Sequence, residues 1–338
     1  MARMLGVRAM VESVEILGTP NFFLKTPWYP RAVAAAPRPS RRPRQLTASL
    51  YSSPPNLLPS FGRAVEELEK RLERPVWMCV QGGDGPAATL GPIARSLFLK
   101  ARNELSAGSS VVLLLESPGG YASDAYAIAR ILCHHAGGFT AVVPSHAKSA
   151  ATLLALGAEE LLMGIDAEMG PLDAQQWDHE REERTSALNE IQALERLHSV
   201  ALEQLDRTMK VMMSGAKKRT EIILPIACRF VSDLMKPLLE DIDMVHYAKQ
   251  TRVLKVAEDY ASRLLSTHYG ERAAKEISNQ LVHGYPEHGF VIGREEMEEL
   301  MGATLEPPDA IKGIVQKIDE IFESHPPFVA IGRLKEVR

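Results

Sequence analysis

The sequence predicts an α/β protein built on a mainly parallel sheet, and three observations carry that prediction. Short apolar runs alternate with helical patterns between Val76 and Met163. Each run is bounded by Gly, Pro or Ser, which end strands and start turns. The helical patterns between the runs are long enough to serve as crossovers. Strands that alternate in this way with helices pair in parallel.

Taken in order, Arg63 to Leu72 reads as a helix, with Val65, Leu68 and Leu72 on one face. Val76 to Val80 reads as a strand that ends at Gly82-Gly83, and Ile93 to Leu105 as a helix. Val111 to Leu115 is wholly apolar and opens on β-branched residues, the pattern of a buried strand. The helix Ala122 to Leu132 follows, with Ala125, Ile128, Ala129 and Leu132 on one face. Phe139 to Val143 is the next strand, ended by Pro144. Ser149 then opens an Ala/Leu-rich helix that runs to about Leu156, with Gly157 just past its end. A short strand is expected near Leu161 to Met163. Beyond it, helices are expected at Arg184 to Thr208, Lys249 to Leu265, Glu295 to Met301 and Ile311 to Phe322. His198 lies near the apolar stripe of the first of these and reads as a surface or half-buried residue.

Two strand–turn–helix units carry the chemistry. In the first, Glu116-Ser117-Pro118-Gly119-Gly120 joins strand to helix through two glycines. Without side chains in the way, backbone N–H groups there can approach a ligand oxygen. In the second, Ala147-Lys148-Ser149-Ala150-Ala151-Thr152 sets a serine at the start of a helix, between small residues. The dipole and free first-turn N–H groups favour negative charge at such a place. A serine at a helix start more often serves as an N-cap, and this reading stands beside the nucleophilic one.

Together the units resemble the Clp protease and crotonase superfamily, and most closely the serine dehydrogenase proteinase family, which is related to signal peptide peptidase A. Ser117-Pro118-Gly119-Gly120 is similar to the oxyanion turn of that group, and Ala147 to Thr152 to its nucleophile turn. Gly170-Pro171-Leu172-Asp173-Ala174-Gln175 and His283-Gly284-Tyr285-Pro286-Glu287-His288-Gly289-Phe290-Val291-Ile292 resemble two further signatures of the family. The resemblance covers roughly residues 63 to 303. It implies a spiral of β-β-α units, a Ser149 nucleophile, and the amides of Gly120 and Ala150 as the oxyanion hole. It also implies a polypeptide substrate, a homo-oligomer and no cofactor.

The base is where the chain departs from its relatives. Clp proteases place a histidine at the strand end some two dozen residues after the serine, but Ala167 to Asp173 contains none. His179 comes later, in a charged segment. The signal peptide peptidase branch uses a lysine instead, which makes Lys249 and Lys255 the candidates, although neither spacing fits without a shift. A lysine acts as a base only when burial lowers its pKa. Lys148 adjoins Ser149 and is expected to face away from it. His283 and His288 lack a third ligand for a metal and read as part of an ordered turn.

Composition bounds the rest. The 338 residues are 45% apolar and 24% charged, ordinary values for a globular protein. A net charge of −4 disfavours a general nucleic-acid binder. No run of 18 apolar residues suggests a membrane span. Cys79, Cys133 and Cys228 show no metal spacing and read as reduced thiols, in keeping with the cytoplasm. No acidic residue falls between Glu15 and Glu66, where Arg and Pro cluster. Residues 1–62 are therefore expected to be a disordered tail, with an organelle transit segment as the other reading. Residues 63–303 form the expected peptidase domain and 304–338 a helical extension. Phe328, Val329 and Ile331 near the C-terminus are candidate subunit contacts. The expected activity is acyl-enzyme peptide hydrolysis. The alternatives are a scaffold of the same fold that has lost its base, and a crotonase-like acyl-CoA enzyme.

Overall fold

The computed structural model describes residues 45–105, 110–173, 175–178, 183–216, 219–240 and 242–337. His179, Lys217, Lys218 and most of the basic, Pro-rich segment lie outside them. The chain runs β1 (Leu46–Ala48), β2 (Tyr51–Ser53), α1 (Pro59–Leu72), β3 (Val76–Val80), α2 (Pro92–Lys100), β4 (Val111–Glu116), α3 (Ala122–His135), β5 (Phe139–Val143), β6 (His146–Ala147), α4 (Ala150–Ala155), β7 (Glu160–Met163) and β8 (Glu168–Met169). It continues with β9 (Gln175–Asp178), β10 (Glu183–Ser186), α5 (Ala187–Ala216), α6 (Thr220–Glu240), α7 (Met244–Leu265), α8 (Glu271–His283), β11 (Ile292–Gly293), α9 (Arg294–Met301), α10 (Asp309–Ser324) and β12 (Val329–Glu336).

The main sheet has the order β1-β12-β3-β4-β5-β7, with β2 also on β12. Its four strands β3, β4, β5 and β7 are parallel. Every residue of β3, β4 and β5 is buried. A strand covered on both faces reads as a continuous apolar run, as these do. Alternate residues feed two cores. Trp77, Cys79, Leu113, Leu115 and Ala141 face α2, α3, α4 and α7. Val76, Met78, Val80, Val112 and Leu114 face α1 and α10.

Helix α10 repeats Ile311, Ile314, Val315, Ile318 and Ile321 on its buried face, an apolar stripe at helical spacing. Helix α7 is capped by Asp243, whose carboxylate accepts the N–H groups of Val245 and His246. It is laid against α3 partly by Tyr126 and Tyr260, whose rings stack at 4.3 Å. A small sheet, β11-β8-β6, closes the end of the main sheet at which β4 and β5 finish.

Three expectations are corrected. The sheet begins at Leu46, not at Arg63, because β1 and β2 pair with the C-terminal strand. The last segment is neither a helical extension throughout nor a set of subunit contacts. β12 lies between β1 and β3, so Phe328, Val329 and Ile331 are inside the chain at 8%, 4% and 0% exposure. Helix α6 forms where no element was expected, with Pro225 and Pro237 inside it. It buries Ile223, Ala227, Val231 and Met235 at four-residue spacing. No helix among the described residues is long and apolar enough to cross a membrane.

Ile331 tests the role of β12. Ile331→Ala should destabilise the fold by about 2–5 kcal/mol, the cost of emptying a closed aliphatic site. Urea denaturation followed by circular dichroism measures it. A loss below about 0.5 kcal/mol, the range of surface positions, would mean that β12 is not part of the core.

Candidate active site

Two turns meet where β4 and β6 end. Glu116-Ser117-Pro118-Gly119-Gly120 leaves β4, and Ala147-Lys148-Ser149 enters α4. They are laced by backbone bonds: Ser117 N–H to His146 O at 3.0 Å, and Lys148 N–H to Ser117 O at 3.0 Å. Gly119 has φ +99° and Gly120 φ +148°. A Cβ on Gly119 would fall 2.5 Å from Lys148 O and 3.0 Å from Ser149 Cβ; one on Gly120 would fall 2.0 Å from Leu90 O. Only glycine satisfies both the dihedral angles and the space. The buried Gln81 fixes the turn from beneath: its Oε1 accepts the Ser117 hydroxyl at 2.9 Å, and Ser117 Oγ accepts Gly119 N–H at 3.1 Å.

Gly120 pairs with Leu90 as an isolated parallel bridge, through Leu90 N–H to Gly119 O and Tyr121 N–H to Leu90 O, both 2.7 Å. A residue flanked in this way turns its own N–H to the other side. Gly120 lines the same cavity as Ser149 and Ala150.

Ser149 stands at φ +51°, ψ −117°. A non-glycine residue there is strained, and such strain is found at functional turns. Its side chain makes no capping bond to α4, so the N-cap reading does not hold. Ala150 begins the helix, where a first-turn N–H has no helical partner. Thr152 ties α4 down: its Oγ1 lies 2.7 Å from Ala147 O and accepts Gly170 N–H at 3.1 Å. Gly170 passes so close that a Cβ would meet Ser149 N at 3.2 Å.

A cavity of about 720 Å³ opens beside Ser149. Gly120, Ser149 and Ala150 line it, together with Leu153, Leu172, Val253, Val256 and Ala257. It also holds Asp173 and His288. His288 Nδ1 lies 2.5 Å from Asp173 Oδ1, and Asp173 is 1% exposed. At that distance the buried carboxylate holds the imidazole ring in one orientation in the cavity. β11 and β8 explain the encounter. Ile292 pairs with Met169 and Gly293 with Glu168 in antiparallel register. Beyond this short ladder Asp173 follows Met169 by four residues and His288 precedes Ile292 by four, and the two side chains meet there.

The sequence reading missed this pair. Each residue lay in a motif already singled out, and an imidazole and a carboxylate in two such motifs were the available signal. The lysines fare differently. Lys255 is ion-paired with Glu258 at 3.0 Å and Asp259 at 3.4 Å, on an exposed face away from the cavity. Those carboxylates hold its pKa above the ordinary value, opposite to the shift that a base requires. Lys249 is exposed on α7 and does not line the cavity. Lys148 lines it, but its Nζ is held by Glu168 at 2.5 Å and Met169 O at 3.2 Å. His283 and His198 are exposed.

A second ionisable pair lies under the turns. Glu116, 3% exposed, sits 2.5 Å from His146 Nδ1 through Oε1. Hydrogen bonding to Glu116 raises the His146 pKa, burial opposes it, and Lys148 and Glu168 add smaller, opposite effects. A raised histidine pKa stabilises the fold fully below the ordinary value of about 6.5, and the gain is lost as pH rises through the folded value. The melting temperature of His146→Gln should thus fall furthest below wild type at about pH 6, and the gap should narrow above the raised value. Differential scanning fluorimetry against pH checks this. A gap that widens with pH contradicts the pairing.

Among the curated proteins, two uncharacterized proteins of Methanocaldococcus jannaschii, MJ0137 and MJ1495, are each 26% identical to the chain, over 203 and 214 residues. The alignments take in 60% and 63% of this chain and 56% of each relative, so the chain spans about half the length of the curated relatives it matches. Among solved structures, two mutants of the 1510-N membrane-bound stomatin-specific protease are similar at 14% and 10% identity, the second in complex with a substrate peptide. They cover 47% and 77% of this chain and 70% and 88% of their own, with TM-scores of 0.29 and 0.39. A family model matches residues 98–225, a stretch that holds both turns, Ser149 and Asp173 but not His288. That model is described as ClpP-like SDH-type serine proteinase, and it bears out the family resemblance read from the motifs.

Proposed function

We propose that the chain is a serine peptidase in which Ser149 is the nucleophile, His288 the general base and Asp173 the group that orients it. The observation that carries this reading is one cavity holding a strained serine, an imidazole and a buried carboxylate bonded to that imidazole. Ser149 Oγ attacks the peptide carbonyl carbon as His288 Nε2 takes its proton. The negative oxygen that forms is met by the N–H groups of Gly120 and Ala150. His288 then returns the proton to the leaving amine, and water hydrolyses the acyl-serine in a second round with the same groups. The histidine replaces Lys249 and Lys255 as the base.

The substrate class is polypeptide, as the family implies. The free thiols Cys79, Cys133 and Cys228 support a reducing compartment such as the cytoplasm. A homo-oligomer is part of the proposal, with α6 in place of the C-terminal strand as its contact. Ile222, Ile226, Phe230, Leu234 and Leu238 run along one side of α6 at four-residue spacing and are 49–54% exposed. An apolar stripe of this length on a surface helix marks an interaction site.

A fluorophosphonate probe should label the wild type at Ser149 and leave Ser149→Ala unlabelled. His288→Ala and Asp173→Asn should each lower turnover of a fluorogenic peptide roughly 10²–10⁴-fold, the usual worth of positioned acid–base catalysis. Lys255→Ala should leave it unchanged. Equal turnover in Ser149→Ala rules out the serine, and an unimpaired His288→Ala rules out the base. For the assembly, light scattering of Phe230→Glu should show a smaller species than wild type. A wild type that is already monomeric at micromolar concentration counts against the oligomer.

A further inference from the structure

The Glu116–His146 pair takes no part in the chemistry above, yet it lies between the two turns on which that chemistry rests. Glu116 is the last residue of β4 and directly precedes the turn that carries Gly120. Its Oε2 accepts the N–H of His146 at 3.0 Å and that of Ser145 at 3.3 Å, and its Oε1 meets the His146 ring at 2.5 Å. Ser145 and His146 lead directly into Ala147-Lys148-Ser149. One side chain from the first turn therefore grips the second turn at three points.

The spacing of the turns matters because their contact has no slack. Gly119 sits where a Cβ would overlap Lys148 O. Backbone bonds between Ser117, His146 and Lys148 join the turns. Glu116 adds attachments one residue further back, to Ser145 and His146. Buried at 3% exposure, a carboxylate with these partners is held far more firmly than a surface pair. The neighbouring charges do not displace it. Lys148 is taken up by Glu168, and Asp319 of α10, which faces Ser145, has its carboxyl pKa raised, chiefly by burial.

We propose that Glu116 is a positioning residue for the Ser149 reaction, setting the separation of the turn that bears Gly120 from the turn that bears Ser149 and Ala150. The proposal rests on the peptidase reading. It concerns reach more than charge, since the carboxylate must span from β4 to two amides. Glu116→Asp keeps the charge and shortens the reach by one methylene, while Glu116→Gln keeps the reach and an acceptor and loses the charge.

The test compares these two variants with wild type and with Leu68→Ala, a core change in α1 on the other face of the sheet. Peptide kcat and KM and the rate of fluorophosphonate labelling are measured below the melting point of every variant. Glu116→Asp should lower kcat and labelling roughly 10- to 100-fold, as expected of a misplacement near 1 Å, with KM little changed. Glu116→Gln should retain most of both. Leu68→Ala should keep the wild-type kcat despite its lower melting temperature. A Glu116→Asp enzyme that turns over and labels as wild type does overturns the proposal, as does a Gln variant no better than the Asp variant. A loss in Leu68→Ala equal to that in Glu116→Asp shows that stability alone was measured, which also overturns it. A wild type that labels at Ser149 while these results go against Glu116 leaves the peptidase reading intact. A wild type that neither labels nor cleaves removes both.

Discussion

Two backbone turns approach one another without room for a methyl group, and the site is arranged around that contact. Gly119 presses on Lys148 and Ser149, Gly120 on Leu90, and Gly170 on the far side of Ser149. Two glycines, Gly119 and Gly170, thus press on one serine. Because no side chain separates the turns, the amides of Gly120 and Ala150 and the hydroxyl of Ser149 belong to one small volume. The strain at Ser149, with its positive φ, is what such a volume requires, and the buried parallel sheet beneath holds it in place.

That sheet is rigid at the site because it is covered on both faces. Strands β3, β4 and β5 have no exposed residue, and their alternate side chains lock into two separate cores. The strands end together at the site, so their turns start from fixed points. The C-terminal strand β12 adds to this from far along the chain. By pairing with β3 it ties the last segment to the first strand of the parallel set, and by pairing with β1 it brings in Leu46 to Ala48. Helix α7 then roofs the cavity with Val253, Val256 and Ala257, and Tyr126 and Tyr260 stack between α3 and α7.

The small sheet of β6, β8 and β11 does a different task. It brings three distant parts of the chain to one edge: the segment before Ser149, the segment before Gly170, and the segment after His288. It anchors the segments that carry Asp173 and His288 within four residues of that pair. The chemistry therefore depends on a few hydrogen bonds between very short strands, supported by α9 and by the Tyr285 hydroxyl on Glu296.

The strands Val76–Val80, Val111–Glu116, Phe139–Val143 and Glu160–Met163, their parallel pairing, and the helices between them were legible in the sequence, because local hydrophobic periodicity specifies each of them. The two glycine and serine turns were legible too, since a glycine pair at a strand end and a serine among small residues at a helix start are local features, and their occurrence together pointed to chemistry. Whether Ser149 capped its helix was decided by its backbone angles, which composition does not fix. β12 was hidden because its partners lie nearly 300 residues away in the chain, and a tail after two prolines looks the same whether frayed or paired. Helix α6 was not read from the sequence, although Ile223, Ala227, Val231 and Met235 recur at every fourth position. His288 and Asp173 stand in separate motifs 115 residues apart, and only the fold brings them together. Local spacing determined the turns that hold the serine. Tertiary structure decided its histidine, because long-range pairing depends on the whole chain and leaves no period to read.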